Sequence, residues 1–165
     1  MKVRMQTSYG AVIIELEPHK APKTVNNFIA YVRDGYYDGT LFHRIIDDFM
    51  VQGGGFLPGM IQKPTRPAIE NEAKNGLRNE RGTLAMARTS DPHSATSQFF
   101  INAKDNAFLD HKDDTPAGFG YTVFGKVVSG IDVVHKIEAV KTADKAGNQN
   151  VPVEAVVIKS ITVLK

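Results

Sequence analysis

The chain has 165 residues, no cysteine, and 20 Lys and Arg against 18 Asp and Glu, which leaves a formal charge of +2. That length suits one ordinary domain with a real core. The absence of cysteine excludes disulfides, thiolate metal sites and cysteine nucleophiles, and so small and scattered a charge excess gives no pull toward nucleic acid or an anionic membrane.

In chain order, Lys2 to Gln6 and Val12 to Leu16 alternate polar and apolar residues around Ser8-Tyr9-Gly10, the pattern of a β-hairpin with one buried face. The period then changes: Val25, Phe28, Ile29 and Val32 form one helical stripe, with Pro22 suited to the first turn and Gly35 to the stop. Leu41 to Ile46 and Phe49 to Gln52 are short strand candidates, and Pro58, Pro64 and Pro67 predict a long surface connection. Thr83 to Ala87, Gln98 to Asn102, Tyr121 to Val128 and Val156 to Leu164 complete the strands. Ser129 with Asp132 predicts a capping box for a second helix through Ile137. Short strands with two helices point to a closed antiparallel β-barrel of about eight strands capped by a helix at each end. An open α+β sandwich fits the periodicity as well. Read as a chain that starts at its own Met1, with no apolar leader and no run long enough to span a bilayer, the protein is expected in the cytoplasm.

Few motifs carry chemistry outright. Gln52-Gly53-Gly54-Gly55-Phe56 lacks the spacing of a phosphate loop and predicts a place where backbone approaches closely. The histidines, His19, His43, His93, His111 and His135, have no metal-ligand spacing, so no metal is implied. Asp91, His93 and Ser94 hold the residue types of a hydrolase, but a triad is assembled by geometry and no nucleophile elbow is present. In Phe42-His43-Arg44-Ile45-Ile46, strand alternation puts Phe42 and Arg44 on one side. By the same rule Phe49 and Val51 share one side, and Met50 and Gln52 the other. Beside Gln98-Phe99-Phe100-Ile101 and Phe108-Leu109, these segments supply apolar walls, amides and one cation, the contents of a small peptide-binding pocket.

These same stretches resemble the cyclophilins, as do Arg81-Gly82-Thr83-Leu84-Ala85-Met86-Ala87, Val123-Phe124-Gly125-Lys126-Val127 and the opening hairpin and helix entry. The resemblance covers essentially the whole chain, residues 1–165, as a single isomerase domain. It implies peptidyl-prolyl cis-trans isomerase activity on proline-containing peptides and unfolded polypeptides, assisting folding, by a monomer with no cofactor. The family's site positions fall on Arg44, Phe49, Met50, Gln52, Ala87, Phe100, Phe108, Leu109 and Tyr121, with Gln98 at the groove. Phe49, Met50, Phe100 and Leu109 are implied as walls of a proline pocket, and Gln52 as the holder of Arg44. Phe108 and Tyr121 stand where the best-known eukaryotic members often carry Trp and His, and Asp113 to Gly120 is longer than in them, as in the short bacterial members. The missing indole donor implies only weak binding of cyclosporin-type cyclic peptides. The alternative is a proline-peptide binding module or chaperone without significant turnover.

Overall fold

The alternation of the first strands sets the geometry of the whole molecule. The computed structural model describes residues 1–165. In β1 (Lys2–Thr7) and β2 (Gly10–Leu16), Val3 faces Ile14 and Met5 faces Val12, and all four are buried. The turn at Ser8-Tyr9 lies where the sequence predicts it. After it come α1 (Pro22–Arg33), β3 (Thr40–Leu41), β4 (Arg44–Ile46), β5 (Met50–Gly53), β6 (Phe56–Leu57) and β7 (Ile61–Gln62). Next are β8 (Thr83–Met86), β9 (Phe99–Asn102), β10 (Val123–Ser129), α2 (Ile131–Glu138), β11 (Thr142–Lys145), β12 (Asn148–Pro152) and β13 (Val157–Leu164). Two short hairpins, β6–β7 and β11–β12, stand apart from the main sheet. The first occupies the expected surface connection.

Nine strands form one antiparallel sheet in the order β3-β13-β1-β2-β10-β8-β9-β5-β4. Its first and last strands, β3 and β4, are consecutive pieces of one run of chain. The Phe42 N–H donates to Val156 O (2.9 Å) and the Gly54 N–H to Leu41 O (3.3 Å), so the sheet curls until its edges meet in this run. The expected closed barrel of about eight strands is therefore a curled sheet of nine that no ladder closes. Gly53 permits the meeting, because a Cβ there would lie 2.5 Å from Leu41 O.

Inside the curl, Phe28 of α1 packs against Phe99 edge-on (5.6 Å) and against Phe124 (5.2 Å), with Tyr37 alongside. The N-terminus of α1 has no cap of its own, since Ala21 offers no side-chain acceptor. Glu72 supplies one from a distant segment, its Oε1 accepting from Thr24 N–H and Thr24 Oγ1 (2.8 Å each). Gly35, at φ 67°, follows the helix as expected. The expected Ser129–Asp132 capping box does not form. Gly130 is the N-cap, in a left-handed conformation (φ 91°), and a Cβ there would meet Ala11 O at 2.4 Å. Ser129 remains the last residue of β10. No helix is long and apolar enough to cross a membrane.

Alternation fails at Phe42 and His43, which lie between β3 and β4 outside both ladders. Phe42 enters the core edge-on to Phe99, while Arg44 points outward, so the two do not share a side as the sequence pattern suggests. His43 is buried against the Phe56 ring (4.4 Å), and its Nδ1 has no partner. Burial, aided by the adjacent Arg44 charge, lowers its pKa to about 4.

Two outcomes follow from this seam. Gly53→Ala should lower the urea midpoint with an unchanged m-value, at a cost of about 1–3 kcal/mol, because the new methyl must displace the Leu41 carbonyl. His43 binds its proton less readily folded than unfolded, so its contribution is intact above about pH 6.5 and is lost as pH falls toward 4. The loss should be on the order of 3 kcal/mol, and His43→Leu should flatten that part of the pH–stability curve. An unchanged slope in the variant would assign it to another group.

Candidate active site

The strands that bury Ile45, Val51, Leu84 and Ile101 inside the curl necessarily present their alternate residues outside it. Register aligns these into a row: Arg44 on β4 pairs with Gln52 on β5, Gln52 with Phe100 on β9, Phe100 with Ala85 on β8, and Ala85 with Val123 on β10. Met50 lies one step along, between Ile46 and Asn102. Met50, Ala85, Phe100, Leu109 and Val123 form a second buried apolar cluster, separate from the main core.

Above this cluster opens a cleft of about 320 Å³, lined by Arg44, Phe49, Met50, Gln52, Ala87, Arg88, Phe100, Phe108, Leu109 and Tyr121. Of the residues singled out in the sequence, only Gln98 does not line it. Gln98 sits behind Gln52 and completes a relay: the Arg44 guanidinium donates to Gln52 Oε1 (3.1 Å), and Gln52 Nε2 donates to Gln98 Oε1 (3.0 Å). Gly55 makes room for Gln98, since a Cβ there would fall 2.6 Å from its Cγ. Arg44 takes part in none of the chain's ion pairs, so its charge is oriented by an amide without being neutralised.

Phe49 reaches the cleft beside Met50, although strand alternation would send it inward with Val51. It belongs to a turn before β5, closed by its N–H to Ile46 O (3.1 Å), with Asp48 at φ 58°. The carbonyl of Phe49 accepts from Ala103 N–H (2.9 Å) and Asn106 Nδ2 (3.0 Å). Asn106 continues to Asn102 Oδ1 (2.8 Å), Asn102 to Asn79 Oδ1 (3.1 Å), and Asn79 to Asp110 Oδ1 (3.1 Å). This buried amide chain fixes the 3-10 turn Ala107–Leu109 that carries Phe108 and Leu109. Leu109 is buried in the floor; Phe108 is 61% exposed and stacks on Phe49 at 5.7 Å. Tyr121 meets Phe100 edge-on at 5.7 Å, and its N–H donates to Leu109 O (3.0 Å).

Arg88 is the lining residue that sequence reasoning missed, although it directly follows Ala87. Its guanidinium lies over the Tyr121 ring (4.6 Å) and donates to the carbonyls of Gly120 (3.0 Å), Thr89 (2.9 Å) and Pro116 (3.0 Å). Asp91, His93 and Ser94 build no triad. Ser94 Oγ donates to Asp91 O, Asp91 Oδ1 accepts from His93 N–H, and His93 Nδ1 accepts from Asn71 N–H, so the three shape a turn.

The profile of the family described as "Cyclophilin type peptidyl-prolyl cis-trans isomerase/CLD" matches residues 2–163. A peptidyl-prolyl cis-trans isomerase of Streptomyces antibioticus is 61% identical over 162 residues, covering 98% of each chain. Peptidyl-prolyl cis-trans isomerase B of Escherichia coli is 55% identical over 161 residues, again covering 98% of each. Among solved structures, a cyclophilin type peptidyl-prolyl cis-trans isomerase of Cryptosporidium parvum, determined in the presence of the dipeptide Ala-Pro, superposes with a TM-score of 0.85 at 30% identity. It covers 100% of this chain and 99% of its own.

Proposed function

This chain belongs to the cyclophilin-type peptidyl-prolyl cis-trans isomerase family and is a peptidyl-prolyl cis-trans isomerase, and we propose that Arg44 is the residue that lowers its barrier. The rotation barrier of a peptide bond is roughly 18–20 kcal/mol, because the nitrogen lone pair is delocalised into the carbonyl. In the twisted transition state that pair returns to nitrogen, which becomes an acceptor it was not before. A guanidinium above the prolyl ring donates to it only then, which is differential stabilisation.

The supporting observation is the relay from Arg44 through Gln52 to Gln98, which aims an unneutralised cation across an apolar floor. Met50, Phe100 and Leu109 seat the ring, Phe49 and Phe108 wall one side, and Ala87 and Tyr121 the other. One charge-assisted hydrogen bond contributes about 1.5–3 kcal/mol, whereas a 10⁵-fold acceleration requires about 7 kcal/mol. The remainder comes from the apolar walls, which favour the less charge-separated twisted amide, and from holding the peptide part-turned. No covalent bond is made or broken.

Substrates in this reading are proline-bearing peptides and unfolded polypeptides, bound by residues 1–165 acting as one monomeric domain. The exposed phenyl of Phe108 offers no N–H donor, which in this reading makes the binding of cyclosporin-type peptides weak. A cytoplasmic site of action belongs to the same reading and is compatible with the cysteine-free composition.

Arg44→Ala should lower kcat/KM for X-Pro isomerisation by about 10–10²-fold, in a protease-coupled assay, while the Kd for a proline peptide changes less than about tenfold. If wild type fails to accelerate isomerisation, the chain is a binding module instead. Gly55→Ala should displace Gln98 and loosen Arg44, lowering kcat about tenfold with KM little changed. An unaltered kcat would show that Gln98 does not hold the guanidinium.

A further inference from the structure

A second cation faces the cleft, and nothing in the rotation of the prolyl bond calls for it. Arg88 lies just beyond the end of β8, while Arg44 is on β4, and β9 and β5 run between those strands. Three inter-strand spacings separate their backbones by about 14 Å. The ring-seating residues Met50 and Phe100 are on the two middle strands. An extended peptide rises about 3.3 Å per residue. With proline on Met50 and Phe100, the residue two or three positions away comes within reach of Arg88.

The charge there is held but not cancelled. The donors of Arg88 are turned to the carbonyls of Gly120, Thr89 and Pro116, and Tyr121 covers one face of the guanidinium. None of the chain's ion pairs includes it, and no Asp or Glu lines the cleft. Neutral acceptors fix the position of the cation and leave its charge unneutralised at the edge of an apolar-walled cleft that already contains Arg44. A peptide that brings a carboxylate to this end relieves two like charges; one that brings a lysine adds a third.

We propose that Arg88 is a specificity determinant that selects peptides carrying an acidic side chain two or three residues from the proline. This rests on the isomerase reading of the same cleft. Because most guanidinium N–H groups are occupied, the selection works through charge more than through a bidentate fork. An interaction of this half-exposed kind changes rates by up to about fivefold and weakens as salt shortens the range of the field.

The test uses a family of peptides with Glu, Gln or Lys placed two or three residues before or after a single proline, with isomerisation rates read by NMR exchange spectroscopy. In wild type, at one of these placements, Glu should exceed Gln in kcat/KM by about threefold to fivefold at low salt, with Lys below Gln, and the spread should shrink in 0.5 M salt. Ratios are compared within each variant, so any general loss of activity cancels. R88Q should bring the Glu:Gln ratio to about one. R88K keeps the charge without the planar fork and should retain a ratio above one even if Tyr121 is less well held. A wild-type ratio of one at every placement overturns the proposal, and so does a ratio that survives R88Q. If wild type accelerates none of the peptides, the isomerase reading itself falls and this inference falls with it.

Discussion

In the mechanism proposed here, an arginine that presents its charge to a fleeting acceptor cannot be tied down by a carboxylate, because a carboxylate would take both the donors and the charge. Arg44 is steadied instead by an amide, and that amide by another. Each member of the relay has its place fixed by something rigid. Arg44 and Gln52 face each other in register on adjacent strands, and Gln98 lies against the backbone of Gly55. The orientation of the cation is thus inherited from strand pairing, and a neutral hydrogen-bonded support leaves its electrostatic reach undiminished.

Packing explains why the proposed site is on the outside of the curl. The interior is filled by Phe28, Phe42, Phe99 and Phe124 and has no room for a ligand. Four neighbouring strands bury residues on both faces, so the second apolar cluster rests directly on the main core. Met50 cannot move without disturbing Val51, nor Phe100 without Phe99 and Ile101. A slot resting on a close-packed interior is stiff, which is what a reaction driven by placement requires.

Where one face is wet and one dry, the sequence was easy to read: Val3, Met5, Val12 and Ile14 announced their hairpin, and the spacing of Val25, Phe28, Ile29 and Val32 announced their helix. It was harder where both faces are buried. Met50-Val51 and Phe99-Phe100-Ile101 are continuous apolar runs, so periodicity could not say which members faced the cleft, and family resemblance supplied the assignment. Alternation misplaces Phe42 and Phe49 because each lies just outside a ladder, where alternation has no force. Arg88 and the asparagines at 79, 102 and 106 left no local signal, since their partners are far away in the chain: Arg88 meets Gly120, and Asn106 meets the carbonyl of Phe49. The hairpin β6–β7 lies in the stretch that Pro58, Pro64 and Pro67 mark as connection, and the exposed strand Thr142–Lys145 of β11–β12 carries no apolar alternation to mark it.

Between Leu109 and Tyr121 the chain makes an excursion whose two ends are latched together by the Tyr121 N–H on Leu109 O, with Gly120 O held by both Asn71 and Arg88. The latch closes below the excursion, which still reaches the cleft at one point, where the Pro116 carbonyl accepts from Arg88. Loop-closure entropy grows only slowly with length, so engineered variants can lengthen or redecorate the stretch away from Pro116 while the latch keeps Tyr121 where it is. Away from Pro116 the excursion is therefore a graft point, a segment that can take on new surface contacts while the floor of the cleft stays as it is.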